Sequence, residues 1–348
     1  TPDALDQGAL QHLGGQALEA VDALLRAPAL PTATENAVHG DVFGLAVVRH
    51  APQTGWTLLI VAAVLTAFAG WGARHATGLT GLSVLRGAAG GLWLVSTSLV
   101  AAQAVRVLAG PVGRRVDTPE TYYTLLRRLP WMEVGIGLSV LAVAFALLAG
   151  RALIGRRVLA VAVVLFAVLA EVLSDLDAAV AGAAVVSVGL TFHASNRPSN
   201  PASGMGQAWG GWLGLIVLVL LLGVVVQVAA PEAALLFIWP GLVAATAAAA
   251  TALIGARLER RTALIPAAVT TVVAGGWLLA QGHAAFLGVG MDLPGALGVI
   301  ALLVVMLARP LTPVAGGGAR TVAAAGAACL ILGCGLSQGG RTAGARPA

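Results

Sequence analysis

Three carboxylates stand out in a chain that has only 15 acidic residues among 348: Glu171, Asp175 and Asp177. Glu171 and Asp175 are four residues apart and therefore share one face of a helix. Carboxylates at membrane depth are costly and often mark ion or proton paths. The same residues also suit the water-exposed end of a span, where a carboxylate needs no protein partner. The pattern leaves two hypotheses open, a candidate intramembrane polar site and an interfacial helix end, and it favours the helix end.

A second group of polar residues has metal-binding side chains. His39, Asp41 and His50 fall within twelve positions, and in an extended segment the first two point to the same side. No dense set of His, Cys, Asp or Glu completes a coordination sphere around them. We therefore interpret this segment as a polar connection and assign no metal ligand to it.

The sequence Gly335-Leu336-Ser337-Gln338-Gly339 matches the pattern of a nucleophile elbow. That motif acts on a strand-turn-helix, with an acid and a histidine following in chain order. Here it follows an apolar run, and no Asp, Glu or His comes after Ser337. Cys329 and Cys334 lie in the same run and are expected to be buried, inert thiols. We assign no catalytic and no cofactor-binding residue in this chain.

Composition identifies the class of protein. The chain is 58% hydrophobic and 10% charged, whereas soluble domains are about 45–50% apolar and about 25% charged. All 20 basic residues are Arg, and most lie in short links between apolar runs. No basic stripe with interleaved aromatic residues is present, so nucleic acid is not an expected partner. These features predict a polytopic membrane protein, since a bilayer span takes about 20 apolar residues.

The apolar runs predict an all-α transmembrane bundle of about 8–10 spans. The pattern leaves open whether the fourth and fifth runs are two helices or one kinked helix. Thr118 before Pro119 predicts a helix start, so the loop 110–130 is either a short interfacial helix or an ordered loop. The tryptophans near the ends of several runs are expected to be interfacial anchors: Trp56, Trp71, Trp131, Trp209 and Trp212. The predicted spans are 55–72, 87–109, 131–149, 158–174, 178–192, 209–229, 233–254, 264–281, 295–308 and 321–336.

Some of the 45 glycines recur at helical spacing. Gly206, Gly210 and Gly214 follow one another at four-residue steps, as do Gly87 and Gly91. Small residues at this spacing let helix backbones approach closely in lipid. These steps predict close helix packing within the bundle.

The first fifty residues differ from the rest. Asp6 can cap a helix, and an apolar stripe follows at three- and four-residue steps: Leu10, Leu13, Ala17, Val21 and Leu24. Such a stripe requires a partner, and the chain opens without an initiator Met. We therefore expect residues 1–50 to be the tail of an upstream soluble domain plus a juxtamembrane connector. Residues 51–338 would form the membrane domain and 339–348 a disordered tail.

The arginines also predict orientation. With the N-terminal side placed outside the cytoplasm, the predicted inner loops carry eleven arginines and the outer loops four, with Arg106 at a boundary. Cytoplasmic loops carry the excess of basic residues, so an extracytoplasmic N-terminal side is expected. The Arg-for-Lys and Ala/Gly-rich usage is typical of a GC-rich bacterium, which predicts an inner (plasma) membrane location.

Several short segments resemble one enzyme family. Residues 3–6, 10–14 and 17–20 resemble the last helix of the zinc aminopeptidase domain in metallopeptidase family twenty-eight. The sharper likeness is to its membrane-embedded branch, the vacuolar membrane protease and endoplasmic-reticulum metallopeptidase group. The segments Phe43-Gly44-Leu45 and Val47-Val48-Arg49 resemble the connector of bacterial members. Leu236-Phe237-Ile238-Trp239-Pro240 is similar to a short sequence in the later spans of those bacterial members.

The resemblance implies that the parent protein removes N-terminal residues from peptides with two zinc ions, which polarise the scissile carbonyl and activate a water. The ligands and catalytic Glu of that family lie upstream of the segment that matches this chain. The implied role of this chain is therefore a non-catalytic, membrane-anchoring and scaffolding domain, and zinc is expected in the upstream domain. Its implied partners are the lipid bilayer, the upstream peptidase domain of the same polypeptide and, through that domain, peptide substrates. The alternatives are a stand-alone transporter or channel and a purely structural or assembly membrane protein.

Overall fold

A computed structural model describes residues 7–29, 36–110, 119–149, 154–173, 177–193, 201–255, 258, 261–290, 292–312 and 317–343. The protein is an all-α helical bundle, as the composition predicts. The chain divides into two compact units, residues 1–37 and 38–348.

In its described residues the first unit contains one helix, α1 (Gln7–Arg26). Arg26 pairs with Asp22 one helical turn earlier, at 2.9 Å. The predicted apolar stripe is exposed, since Leu13, Val21 and Leu24 keep 64%, 52% and 47% of their surface accessible. Asp6, the predicted cap, lies outside the described residues.

The second unit opens with a β-hairpin, β1 (Val38–Val42) and β2 (Ala46–His50), paired antiparallel. Ten helices follow it in the described residues. They are α2 (Thr54–Thr77), α3 (Gly81–Leu108), α4 (Pro119–Ala149), α5 (Arg156–Leu173), α6 (Ala178–His193), α7 (Pro201–Ala229), α8 (Pro231–Ile254), α9 (Arg261–Val289), α10 (Ala296–Ala308) and α11 (Gly317–Ala343).

Each of the ten predicted spans corresponds to one of these helices. Seven of them are long and apolar enough to cross a membrane, as expected of an integral membrane protein. The other three, α5, α6 and α10, are shorter or carry more charge. The fourth and fifth predicted spans are two separate helices, α5 and α6.

Two helix boundaries differ from the sequence interpretation. The helix that begins at Pro119 continues without a break to Ala149, with Pro130 inside it. The predicted interfacial helix is therefore the first part of α4 and not a separate element. The last helix runs to Ala343, so it ends within the segment 339–348 that is expected to be a disordered tail. Residues 344–348 lie outside the described part of the chain.

Consecutive helices of the bundle run in opposite directions. Residue contacts establish the alternation: Trp93 with Thr191 and Thr97 with Ser187 join α3 and α6, and Leu59 with Gly223 and Leu213 with Gly70 join α2 and α7. Helix ends therefore fall on two sides. We call the side where α2 begins the first face and the side where α2 ends the second face.

The turn between α2 and α3 shows why the helices break where they do. Gly78 ends α2 in the left-handed conformation, with φ 68°, a backbone state that glycine adopts without strain. Thr80 then begins α3 through a capping box with Ser83, whose backbone N–H it binds at 3.2 Å.

Small residues allow the central helices to approach closely. Gly87 of α3 lies against the backbone of Gly210 and Gly211 in α7, and Gly214 lies against Val84 and Ala88 in α3. The glycine spacing predicts this packing, and the structure confirms it. Glycine is required there because a Cβ would overlap the facing backbone.

The tryptophans divide into two groups. Trp56, Trp71 and Trp131 are exposed, as interfacial anchors should be, but Trp209 and Trp212 are only 0% and 1% exposed. Their predicted interfacial position is wrong because α7 begins at Pro201, eight residues before Trp209. Trp209 and Trp212 instead pack inside the bundle, with ring centroids 5.3 Å apart.

Candidate functional site

The β-hairpin packs on a pair of tryptophans from two spanning helices. Trp239 of α8 and Trp277 of α9 lie with ring centroids 5.9 Å apart. The indole N–H of Trp277 donates to the carbonyl oxygen of Asp41 at 2.9 Å. Gly40 packs directly on the ring of Trp239. The hairpin is thus fixed to the helices by one hydrogen bond and one close ring contact.

The tip of the hairpin is a tight turn. The carboxylate of Asp41 accepts the backbone N–H of Gly44 at 2.9 Å. Phe43 and Gly44 both have positive φ, 57° and 69°. Such a conformation is uncommon for Phe, and the Asp41 side chain stabilises it locally. The ring of Phe43 reaches toward Gly276 of α9.

The segment that leads from the hairpin into α2 is also fixed. The side-chain amide of Gln227 donates to the carbonyl oxygen of Pro52 at 2.8 Å. Gln227 is 4% exposed, and Gly55 lies against its side-chain oxygen. A buried amide needs such a partner. The chain therefore enters the first spanning helix along a defined path.

Four large apolar side chains of the hairpin are exposed. Phe43, Leu45, Val47 and Val48 are 47%, 87%, 66% and 42% exposed. We call these four residues the hairpin surface. Exposed apolar patches of this kind mark contacts with another protein or with a membrane.

The metal-capable residues of the hairpin do not converge. His39 and Asp41 are both exposed on one side, as the alternation predicts. His50 pairs with Val38 and therefore lies on the other side, where its Nδ1 contacts the carbonyl oxygen of Ala51 at 2.9 Å. Among the described residues no group of three or more metal-binding side chains could hold a metal ion.

Two of the three predicted carboxylates lie together at the turn between α5 and α6. Glu171 Oε2 accepts the backbone N–H of Asp177 at 2.8 Å, and Asp177 Oδ1 accepts the backbone N–H of Ala179 at 2.8 Å. Asp177 therefore caps α6. Glu171 Oε1 is buried without a hydrogen-bond partner among the described residues. Asp175 lies outside the described residues.

A further acid–base contact at the first face was not found from the sequence. His283 Nδ1 of α9 lies 2.5 Å from Glu133 Oε1 of α4. The two residues are 150 positions apart, so spacing along the chain gives no signal of their contact. Arg106, 5% exposed at the end of α3, lies within electrostatic range of Asp292. These four residues share one sequence signal: each is a polar residue near the end of an otherwise apolar run.

Ser337 is a packing residue rather than a nucleophile. It is fully buried, and its hydroxyl lies against Gly135 where α11 crosses α4. The position is helical and not a strand-turn-helix, so the arrangement of a nucleophile elbow is missing there. Cys329 and Cys334 are free thiols on the same helix and are half-buried rather than fully buried.

No protein-family model, curated protein or solved structure matches this chain.

Proposed function

We propose that this chain is the membrane-anchoring and scaffolding C-terminal domain of a zinc-dependent aminopeptidase. The peptidase domain would lie upstream and hold the zinc ions, and this chain would hold it at the membrane surface. The enzymatic part of the proposal rests on the resemblance of residues 3–20 and 43–49 to metallopeptidase family twenty-eight. The anchoring part rests on the geometry of the hairpin.

The packing of the hairpin on Trp239 and Trp277 is the observation that supports the anchoring role. A flexible tether would let an attached domain tumble freely, whereas this hairpin has a backbone hydrogen bond to Trp277 and a close ring contact. Gln227 fixes the following segment at Pro52. A domain joined before the hairpin would therefore have a defined exit point from the bundle.

Two uncovered apolar surfaces suit contact with such a domain. One is the stripe of α1, and the other is the hairpin surface. Each carries large side chains that an aqueous environment disfavours. In the proposal, both are covered by the upstream domain.

The distribution of arginine supports an extracytoplasmic position for the hairpin. Among the described residues of the second unit, the second face carries seven arginines and the first face five. Basic residues favour the cytoplasmic side, so the first face, where α2 begins, is assigned to the outside of the bacterial inner membrane. The second-face set is Arg74, Arg86, Arg156, Arg157, Arg261, Arg309 and Arg320, and the first-face set is Arg49, Arg106, Arg127, Arg128 and Arg341.

The carboxylate turn favours anchoring over transport. Glu171 and Asp177 both accept backbone N–H groups at the junction of α5 and α6. A helix cap of this kind explains both carboxylates at a helix end without an ion path.

The proposal is tested on the whole gene product. The reading frame upstream of Thr1 should encode two to three hundred residues with a set of His, Asp and Glu ligands. The purified full-length protein should contain zinc and release the N-terminal residues of peptides, and a chelator should abolish this activity. A start codon immediately before Thr1, or an upstream region without such ligands, would refute it.

Orientation is tested separately by thiol labelling. After Cys329 and Cys334 are replaced by Ala, a thiol is introduced by Leu45→Cys or by Arg320→Cys. A membrane-impermeant maleimide should label position 45 in intact cells and position 320 only after permeabilisation. The reverse pattern would contradict the extracytoplasmic assignment.

A further inference from the structure

A groove of about 800 Å³ runs along the outside of the bundle between α2 and α7. Its floor is made of buried residues, among them Leu59, Thr66, Leu213 and Leu220. Its rim includes the exposed residues Ala63, Ala67, Trp71, Leu221 and Val224. The groove thus opens sideways, in the direction of the bilayer, and its volume is in the range of about 300–1,000 Å³ found for small-molecule sites.

The groove is apolar over most of its length. The hydroxyl of Thr66 donates to the carbonyl oxygen of Ala62 at 2.7 Å, so it offers no free donor to a ligand. From Leu59 to Arg74 the lining residues of α2 cover about 22 Å at 1.5 Å per residue. One leaflet of hydrocarbon is about 15 Å thick, since the whole core is about 30 Å. The groove can therefore take the whole length of a lipid tail.

A positive charge lies at the second-face end of this groove. Arg74 lines it, together with Thr80 and Gly81 at the start of α3. No ion pair between described residues involves Arg74, so no described carboxylate neutralises it. Beside it the exposed Trp71 makes an edge-to-face contact with His75 at 5.2 Å. This end has the character of an interface, with a cation and an amphipathic ring.

We propose that this groove binds an acidic phospholipid from the leaflet at the second face, with one tail along α2 and α7 and the phosphate on Arg74. A ligand with a long apolar body and an anionic head matches a long apolar groove that ends in a guanidinium. Free phosphate would use Arg74 alone and leave the groove empty. The positive end of the α3 dipole, at Gly81, adds to the attraction.

The sparse packing of α2 is compatible with the proposal. Only 28% of the most apolar window of α2 is buried within the protein, a low value like those of α9 (28%) and α11 (17%), so α2 is a peripheral helix that lipid can reach. A lipid tail between α2 and α7 would complete the contacts of α2. This inference is independent of the proposed peptidase anchoring, because it concerns the second face.

The test uses the full chain, purified in detergent, and two photoreactive lipids with a diazirine in the tail, one phosphatidylglycerol and one phosphatidylcholine. Phosphatidylglycerol should label peptides from residues 59–84 and 213–224 more strongly than phosphatidylcholine. Arg74→Gln should lower this labelling about fivefold, which corresponds to about 1 kcal/mol for one basic residue at an anionic surface. Arg320→Gln is the matched control, since Arg320 is exposed on the same face and does not line the groove.

A variant that fills the groove tests the binding of the lipid tail separately from the binding of the phosphate. A Cβ at Gly70 would be 3.7 Å from Leu213, an ordinary contact, so Gly70→Leu should fold and fill the groove. It should abolish labelling in this region while the melting temperature stays unchanged. Should Gly70→Leu fail to fold, Ala63→Leu on the exposed rim makes the same test.

Three outcomes would overturn the proposal. The first is equal labelling by the two lipids with no effect of Arg74→Gln, which indicates ordinary surrounding lipid. The second is undiminished labelling in a folded groove-filling variant. The third is full displacement of phosphatidylglycerol by millimolar inorganic phosphate, which indicates an anion site without a tail site.

Discussion

Gly40 of the hairpin lies against the indole ring of Trp239 in α8, so closely that a Cβ at position 40 would overlap the ring. This contact joins a residue that precedes the first spanning helix to one in a helix much later in the chain. It explains why a glycine occupies a strand, where glycine otherwise weakens the structure. The position of the hairpin therefore depends on a side chain that is remote in sequence.

We expect Gly40→Val to detach the hairpin from Trp239 and Trp277. The added side chain cannot fit against Trp239, and overpacking of this kind costs about 1–3 kcal/mol. Released β2 should become sensitive to trypsin at Arg49. The measurement is the rate of cleavage at Arg49. Gly137→Ala is the control, since a Cβ there meets no neighbouring atom within 4 Å; faster cleavage in the control as well would contradict the specific role of Gly40.

The close contact between α3 and α7 predicts that one added methyl group at Gly214 lowers the stability of the protein. At Gly214 a Cβ would lie 2.6 Å from the backbone nitrogen of Ala88 and 2.7 Å from the Cα of Gly87. Backbone atoms cannot move aside as a side chain can, so Gly214→Ala should lower the free energy of unfolding by about 1–3 kcal/mol. The melting temperature in detergent measures it. Gly182→Ala in α6, with open space at its Cβ, should not lower that temperature, because Ala is the better helix former.

The polar contact between α3 and α6 should contribute measurable coupling. Thr97 and Ser187 have hydroxyl oxygens 2.5 Å apart, and both residues are buried. Interhelical hydrogen bonds in membranes average about 0.6 kcal/mol and reach about 1.7 kcal/mol. A double-mutant cycle of Thr97→Val and Ser187→Ala should give a coupling energy in that range.

The matched control for that cycle is Thr246→Val combined with Ser187→Ala. Thr246 donates to the carbonyl oxygen of Leu242 in its own helix, at 2.8 Å. This second cycle should show no coupling. A coupling energy of zero for Thr97 and Ser187 would mean that their contact does not stabilise the helix pair.

Because Asp177 caps α6, we expect Asp177→Ala and Asp177→Asn to differ in how much they destabilise the start of this helix. Asp177→Ala removes the acceptor for the backbone N–H of Ala179 and should cost about 0.5–2 kcal/mol. Asp177→Asn retains a side-chain oxygen and should cost much less. Amide hydrogen exchange over residues 178–181 is the measurement. If Asn and Ala behave alike, Asp177 does not act as a cap.

The sequence by itself determined which residues form helices, because apolar runs of sufficient length favour helices in a bilayer. All ten predicted runs became helices for this reason. The glycine steps at positions 87, 91, 206, 210 and 214 also predicted close helix packing, since the spacing places them on one face of a helix.

The partners of individual side chains were decided only by the tertiary structure. Trp239 and Trp277 form a seat for the hairpin, and His283 meets Glu133, through contacts between residues far apart in the chain. The groove ending at Arg74 exists only because α2 and α7 lie side by side. Local periodicity reports which face of a helix is apolar, but in a chain that is apolar on nearly all faces it carries no information about which neighbour each face meets.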